Sequence, residues 1–288
     1  MLCKLDGVRW QIASILLLGE EVTMKTNRGT SDGNVQEIDF VKTFNKDKYN
    51  NIFSVFTRNI GYNLDRVYMV RVTTNQFSKL SNKVTKTRSD CYAIYSEDEQ
   101  ITNILQENDY YLNENNIQGL DYTIIEKSGI SIKMIDSNKY QILKTGPNSF
   151  KTLFGCYELG AGASLFCMRD DELIKNKDLA IGWNTTLENI KNHFDFVKDS
   201  NDLISNKKIC QQIKSLCNDI IAKKINNSLE LQQKIFNGYP IYEEPYSAWF
   251  LFSHGELEKL TYIPFTVTTG SGRTHGDYTI VLKPKKED

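Results

Sequence analysis

Apolar residues recur along the chain at two periods, and the period separates helix from strand. Val35, Ile38, Val41 and Phe44 lie three residues apart and predict an amphipathic helix, with Ser31 or Asp32 placed to cap it. Val67 to Thr73 and Cys91 to Tyr95 are rich in β-branched and aromatic residues and predict strands. Glu97 to Leu112 predicts a polar helix. Further strands are predicted over Tyr122 to Ile125, over Ile130 to Ile135, where I-S-I-K-M-I alternates, and over Tyr140 to Leu143. Pro147 can open a short helix running to Phe154, because the first turn needs no amide donor from it. Gly160-Ala161-Gly162-Ala163 reads as a turn or hinge, since it has neither the Lys-Ser/Thr of a P-loop nor the spacing of a dinucleotide fingerprint.

The second half changes character. Leu187 to Phe196, Ile209 to Ile221 and Ser228 to Phe236 are amphipathic at helical spacing. Strand-like sequence returns at Tyr262 to Val267 and Tyr278 to Leu282, around the glycine-rich stretch Thr268 to Asp277. This order predicts an α/β fold: a mixed central sheet with flanking helices and a helical insertion. The expected organisation is an N-terminal extension at 1–24, with Met24-Lys25 reading as an alternative start, and a single domain at 25–288. Within that domain the helical elaboration spans about 165–240 and a C-terminal segment spans about 262–284.

Composition narrows the classes. The 288 residues can bury a sizeable core without disulfide or metal staples. Ile12 to Leu18 is too short an apolar run to cross a bilayer and has poor signal-peptide flanks, so a cytoplasmic protein with no membrane partner is expected. The six cysteines form no C-x-x-C pair and only three histidines are present. Reduced thiols are therefore expected, rather than a zinc cluster or a Ser-His-Asp triad.

Net charge is −1, which on its face disfavours a polyanionic partner. That total hides a segregation. Residues 90–126 carry nine acidic side chains and no Lys or Arg, leaving +8 on the remainder; residues 66–88 carry six basic side chains and no acid. A basic surface on a neutral protein is compatible with this pattern, as are ordinary solvated faces.

Candidate chemistry centres on Thr87-Arg88-Ser89-Asp90-Cys91-Tyr92-Ala93-Ile94-Tyr95 and the later Ser131-Ile132-Lys133. An aspartate opening a strand can hold Mg²⁺, a hard cation that prefers oxygen donors. A lysine on a neighbouring strand can orient water or stabilise charge on a phosphorane. Alternation sends Ser131 and Lys133 to one face, where both can meet Asp90. Taken alone, the same residues also read as a strand-capping aspartate and a solvated lysine.

The ordered segments G-N-V-Q-E-I-D-F-V-K-T-F-N, T-R-S-D-C-Y-A-I-Y, S-G-I-S-I-K, Y-Q-I-L-K and P-N-S-F-K-T-L-F-G resemble type II restriction endonucleases of the PD-(D/E)xK superfamily, nearest to short-site cutters. The resemblance covers roughly residues 25–155 and the last 25 residues. It implies a restriction-endonuclease-like sheet and Mg²⁺-dependent hydrolysis of double-stranded DNA at a short sequence. A restriction–modification system with a cognate DNA methyltransferase, and a monomer or homodimer, are implied with it. Asp90 matches the metal-binding aspartate and Lys133 the catalytic lysine, while Ser131 stands where the family usually has Glu. Glu37, matching the family's helix glutamate, then supplies the second metal ligand, with Glu126 as a substitute. Lys139 and Lys144 are expected to grip phosphate, as are Asn148 and Ser149 at a helix start. Arg273 in the glycine-rich loop suits guanine and His275 is a further DNA contact. The alternatives are another nuclease of the same superfamily, repair or RNA-directed, and a non-catalytic DNA-binding module.

Overall fold

The structure is a computed structural model and describes residues 28–72, 87–133, 141–238, 241–259, 264–269 and 279–285. Helix α1 (Arg28–Lys46) is followed by a 3₁₀ turn and by α2 (Ser54–Ile60). Ser31 and Asp32 lie inside α1 rather than capping it. Its expected apolar stripe is also cut short. Val41 and Phe44 are buried together with Phe40, while Val35 stays exposed, because only the C-terminal half of the helix lies on the sheet.

Strands β1 (Val67–Arg71) and β2 (Cys91–Tyr95) pair antiparallel from Val67 opposite Tyr95 to Arg71 opposite Cys91. Of the predicted polar helix only α3 (Ile101–Glu107) forms, and a separate short helix α4 (Glu114–Ile117) follows beyond its expected end. Asp109 and Tyr110 adopt positive φ between them, and Tyr110 O accepts a hydrogen bond of 2.8 Å from Arg71 N on β1. A tertiary contact ends the helix there, which the local pattern does not record. Next come β3 (Thr123–Ile124), β4 (Ile130–Ile132), β5 (Leu143–Thr145) and α5 (Pro147–Phe154). Helix α5 has the predicted bounds.

Gly160-Ala161-Gly162-Ala163 is not a hinge. It forms the middle of helix α6 (Glu158–Ser164) and is buried throughout. A Cβ on Gly160 would strike the Trp183 ring, and one on Gly162 would strike Cys217 Sγ. The glycines therefore serve close helix packing rather than backbone turning. The helical segment continues through α7 (Asn176–Gly182), α8 (Leu187–Lys191), α9 (Asp202–Ser205), α10 (Lys207–Asn226) and α11 (Leu229–Asn237). The chain closes with β6 (Phe250–Ser253), β7 (Glu256–Glu258), β8 (Phe265–Thr269) and β9 (Ile280–Pro284).

The larger sheet has the order β1-β2-β4-β6-β7, with β3 also paired to β2. Pairing of β4 with β6 is parallel, Ser131 facing Leu251, and the other pairs are antiparallel, so the sheet is mixed. Helices flank it, and the fold is mixed α/β. Strands β5, β9 and β8 do not extend this sheet. They form a separate three-stranded antiparallel sheet with Leu143 opposite Leu282.

One face of the larger sheet carries Met69, Ile130, Ile132 and Phe250 against Phe40, Phe44, Phe53 and Phe56, with edge-to-face ring contacts such as Phe44–Phe53 at 5.1 Å. The other face packs Tyr92 and Ile94 against Ile101, Leu105 and Tyr246. The helical segment surrounds Trp183, Ile213, Cys217 and Ile221, and shares this core with Phe265, Ile280 and Leu282 of the second sheet. Leu251 of β6 belongs to that third cluster and links it to the larger sheet. The five cysteines among the described residues are free thiols. No helix among the described residues is long and apolar enough to cross a membrane.

Candidate active site

Strand β4 lies between β2 and β6, and alternation divides its side chains. Ile130 and Ile132 enter the core beneath α1, so Ser131 points to the opposite face. Asp90 sits one residue before β2, at the point where Cys91 pairs with Ile130. Its backbone N donates to Ile130 O at 2.8 Å, and its Oδ2 accepts from Ile132 N at 2.6 Å. Main-chain pairing thus sets the carboxylate over β4. Ser131 Oγ lies 3.3 Å from the same Oδ2, and Lys133 Nζ lies 3.8 Å from it. Lys133 N pairs with Phe252 O at 2.8 Å, which carries the parallel register past the end of β4 and keeps the lysine beside Asp90. Side chains of Lys133 and Asp90 retain 18% and 29% of their accessible surface, so both can meet a substrate.

Glu37 arrives from α1. Its Oε2 is 3.4 Å from Arg71 Nη2, and the Arg71 side chain is only 4% exposed. Arg71 also donates from Nη1 to Asp109 O at 3.3 Å and lies 4.5 Å from the Tyr111 ring centre. The acidic segment after β2 reaches this pair with main chain rather than with a carboxylate. Its turn at Asp109 to Tyr111 braces the arginine that holds Glu37. Arg66, at the other end of β1, pairs with Glu97 at 3.2 Å.

Electrostatics bind these groups into one cluster. Burial raises the Glu37 carboxyl above its ordinary value and the charge of Asp90 raises it further, against the lowering effect of Arg71 and Lys133. Burial lowers the Lys133 ammonium; Asp90 opposes this and nearby Arg88 adds to it. Two carboxylates placed so that the charge of one acts on the other form a donor pair suited to a hard divalent cation. Glu37 and Asp90 would hold it, and the Ser131 hydroxyl is a weaker oxygen donor beside them. Among the described residues no three His, Cys, Asp or Glu side chains assemble as a metal-ligand cluster, so the donor set is a pair of acids. Glu126 is exposed elsewhere, beside a cavity lined with Trp249, Lys127 and Lys259.

Those expected DNA contacts that are described lie on elements other than the ones that carry this cluster. Lys144 is exposed on β5 of the second sheet, and Asn148 and Ser149 occupy the first turn of α5. Among the described residues no hydrogen bond or ion pair joins them to Asp90, Glu37 or Lys133. Asn148 Oδ1 instead accepts from Tyr157 and Asn184, each at 3.4 Å. Lys139, Arg273 and His275 lie outside the described residues, as does the 1–24 extension.

Two arginines join the site without having been singled out by sequence: Arg71, and Arg88, whose Nη1 donates to Ser131 Oγ at 3.3 Å. A signal for the second stood in T-R-S-D, two residues ahead of Asp90. No family profile and no curated protein matches the chain, so the reading of this site rests on its own geometry.

Proposed function

We propose that the chain is a divalent-cation-dependent endonuclease that hydrolyses phosphodiester bonds of double-stranded DNA at a short recognition sequence. In this reading it works as type II restriction endonucleases of the PD-(D/E)xK superfamily do, alongside a DNA methyltransferase. The observation that carries it is Lys133 Nζ at 3.8 Å from an Asp90 that is fixed by β4 main chain, with Glu37 near enough for the two acids to repel.

In this assignment Asp90 and Glu37 hold Mg²⁺, which supplies electrophilic stabilisation of charge on the phosphate when bound. Lys133 orients the attacking water, and its lowered proton affinity favours the neutral amine that accepts a proton from it. As an ammonium the same group stabilises the pentacovalent phosphorane. Arg71 keeps Glu37 facing the cluster. In this reading Glu37 takes the part of the strand carboxylate that Ser131 does not supply, and Asp90 is supported by Ile132 N and the Ser131 hydroxyl.

Digestion of plasmid DNA of known sequence with Mg²⁺, followed by mapping of fragment ends, tests the reading. Discrete fragments with a common end sequence are expected, and Asp90→Ala and Lys133→Ala should each abolish them. A smear would favour a repair-type or RNA-directed nuclease of the same superfamily. Binding without cleavage, with Mg²⁺ or Mn²⁺, would favour a non-catalytic DNA-binding module. Cleavage that survives both substitutions would place the active site elsewhere.

A further inference from the structure

Arg88 lies under the strand that carries Ser131. Its backbone N donates to Tyr246 O at 2.9 Å, anchoring the residue two positions before Asp90. The guanidinium is enclosed: Nε and Nη2 are buried with no hydrogen-bond partner, and only Nη1 is engaged, on Ser131 Oγ at 3.3 Å. Among the described residues no carboxylate lies within ion-pair distance of it. Burying a cation in this way is costly unless it is held for a reason, since charge transferred from water costs several kcal/mol.

The Ser131 hydroxyl has one proton and is itself fully buried. An arginine has no acceptor, so towards Nη1 the hydroxyl can only accept. Its single proton is thereby left for Asp90 Oδ2 at 3.3 Å. Arg88 decides which way this hydroxyl faces. Asp90 Oδ2 then receives two donors from β4, Ile132 N and Ser131 Oγ, while its other oxygen takes no part in these contacts.

Resting on the nuclease reading above, we propose that Arg88 is a positioning residue of the active site: through Ser131 it orients the Asp90 carboxylate for a divalent cation. It does not touch the cation or the DNA. Partners that orient a metal ligand typically change metal affinity or activity by about 10–100-fold when removed. Charge alone predicts the opposite sign, because deleting a nearby cation should strengthen binding of another. The two effects can therefore be separated.

The experiment is a cycle of Ser131→Ala, Arg88→Met and the double variant in the full chain, titrated with MnCl₂ by calorimetry and assayed for plasmid cleavage. Ser131→Ala and Arg88→Met should each weaken Mn²⁺ binding about tenfold. Adding Arg88→Met to Ser131→Ala should cost nothing more, or restore some affinity. The proposal is overturned if Arg88→Met binds Mn²⁺ as tightly as wild type or tighter, or if the two losses multiply. Where Arg88→Met does not fold, Arg88→Lys keeps the buried cation while losing the guanidinium geometry, and the same fall is expected of it.

A wild type that binds Mn²⁺ but cuts no DNA defeats the nuclease reading alone, and the titration still judges Arg88. A wild type that cuts DNA while Arg88→Met keeps its rate and Mn²⁺ affinity defeats the Arg88 proposal alone. A wild type that binds no Mn²⁺ defeats the cation reading. The urea-unfolding midpoints of the same four proteins then decide the Arg88–Ser131 linkage, with non-additive shifts expected and additive ones overturning it.

Discussion

At the scale of single residues, Glu37 serves both Arg71, which is nearly sealed from water, and the carboxylate pair with Asp90. Glu37→Gln keeps the shape and removes the charge. It should abolish plasmid cleavage by at least about a hundredfold if the glutamate holds the cation. It should also lower the urea-unfolding free energy by about 1–3 kcal/mol, because a buried guanidinium loses its counter-charge. A stability loss with cleavage intact would leave Glu37 as the counter-ion of Arg71 and nothing more. The choice of Asp90 and Lys133 came from the family resemblance, while the shared face of Ser131 and Lys133 was legible because strand alternation is a local property. Arg71 and Arg88 were not, because an arginine's partner depends on which strand is folded beside it. Arg88 is 43 residues from Ser131, and Arg71 is 34 from Glu37.

Elements show the same division. Helix α5 and strand β2 have the bounds their patterns predict, since a proline at the first turn and a β-branched, aromatic run are local signals. Helix α6 was misread because glycine more often punctuates than packs. Gly162→Ala tests the packing explanation. Alanine raises helix propensity by about 1 kcal/mol, yet here its Cβ meets Cys217, and overpacking costs about 1–3 kcal/mol. A lowered urea midpoint with unchanged helical circular dichroism is expected; a raised midpoint would show that the neighbouring helix gives way. Strand β6 was not foreseen at all. Phe250 to Ser253 is a four-residue strand with three apolar residues, too short for its period to identify. Its parallel pairing with β4 is nonetheless what makes the sheet mixed and places Lys133.

For the molecule as a whole, the charge segregation is partly consumed inside the fold. Arg66 pairs with Glu97, and Arg71 is braced by the turn at Asp109 to Tyr111, so the acidic and basic segments are laced together across β1 and β2. The helical core carries a different pH liability. Burial pushes the Cys210 thiol up to about 11 and the Cys217 thiol to about 12, from an ordinary 9.0. A raised folded-state pKa means that the unfolded chain releases the proton first. The stabilising contribution is therefore complete below pH 9 and is lost between 9 and about 11–12, at up to about 1.4 kcal/mol per pH unit per thiol. The urea midpoint should fall between pH 8 and 10.5, and Cys217→Ala should fall less steeply over that interval. An equal slope in the variant would exclude this thiol as a source of alkaline instability.

Length, period and residue order alone determined that this is an α/β chain with a helical insertion, and that Ser131 and Lys133 share a strand face. These are properties of neighbours in the chain, which hydrophobic period and strand alternation encode directly. Only the tertiary structure decided that β5, β8 and β9 make a second sheet, that β4 pairs with β6, and that Arg71 and Arg88 carry their buried charge to Glu37 and Ser131. Such choices depend on which distant segments exclude water together, and sequence separation does not record that. The net charge of −1 therefore says little about the site, where each charge is set by its partners in space.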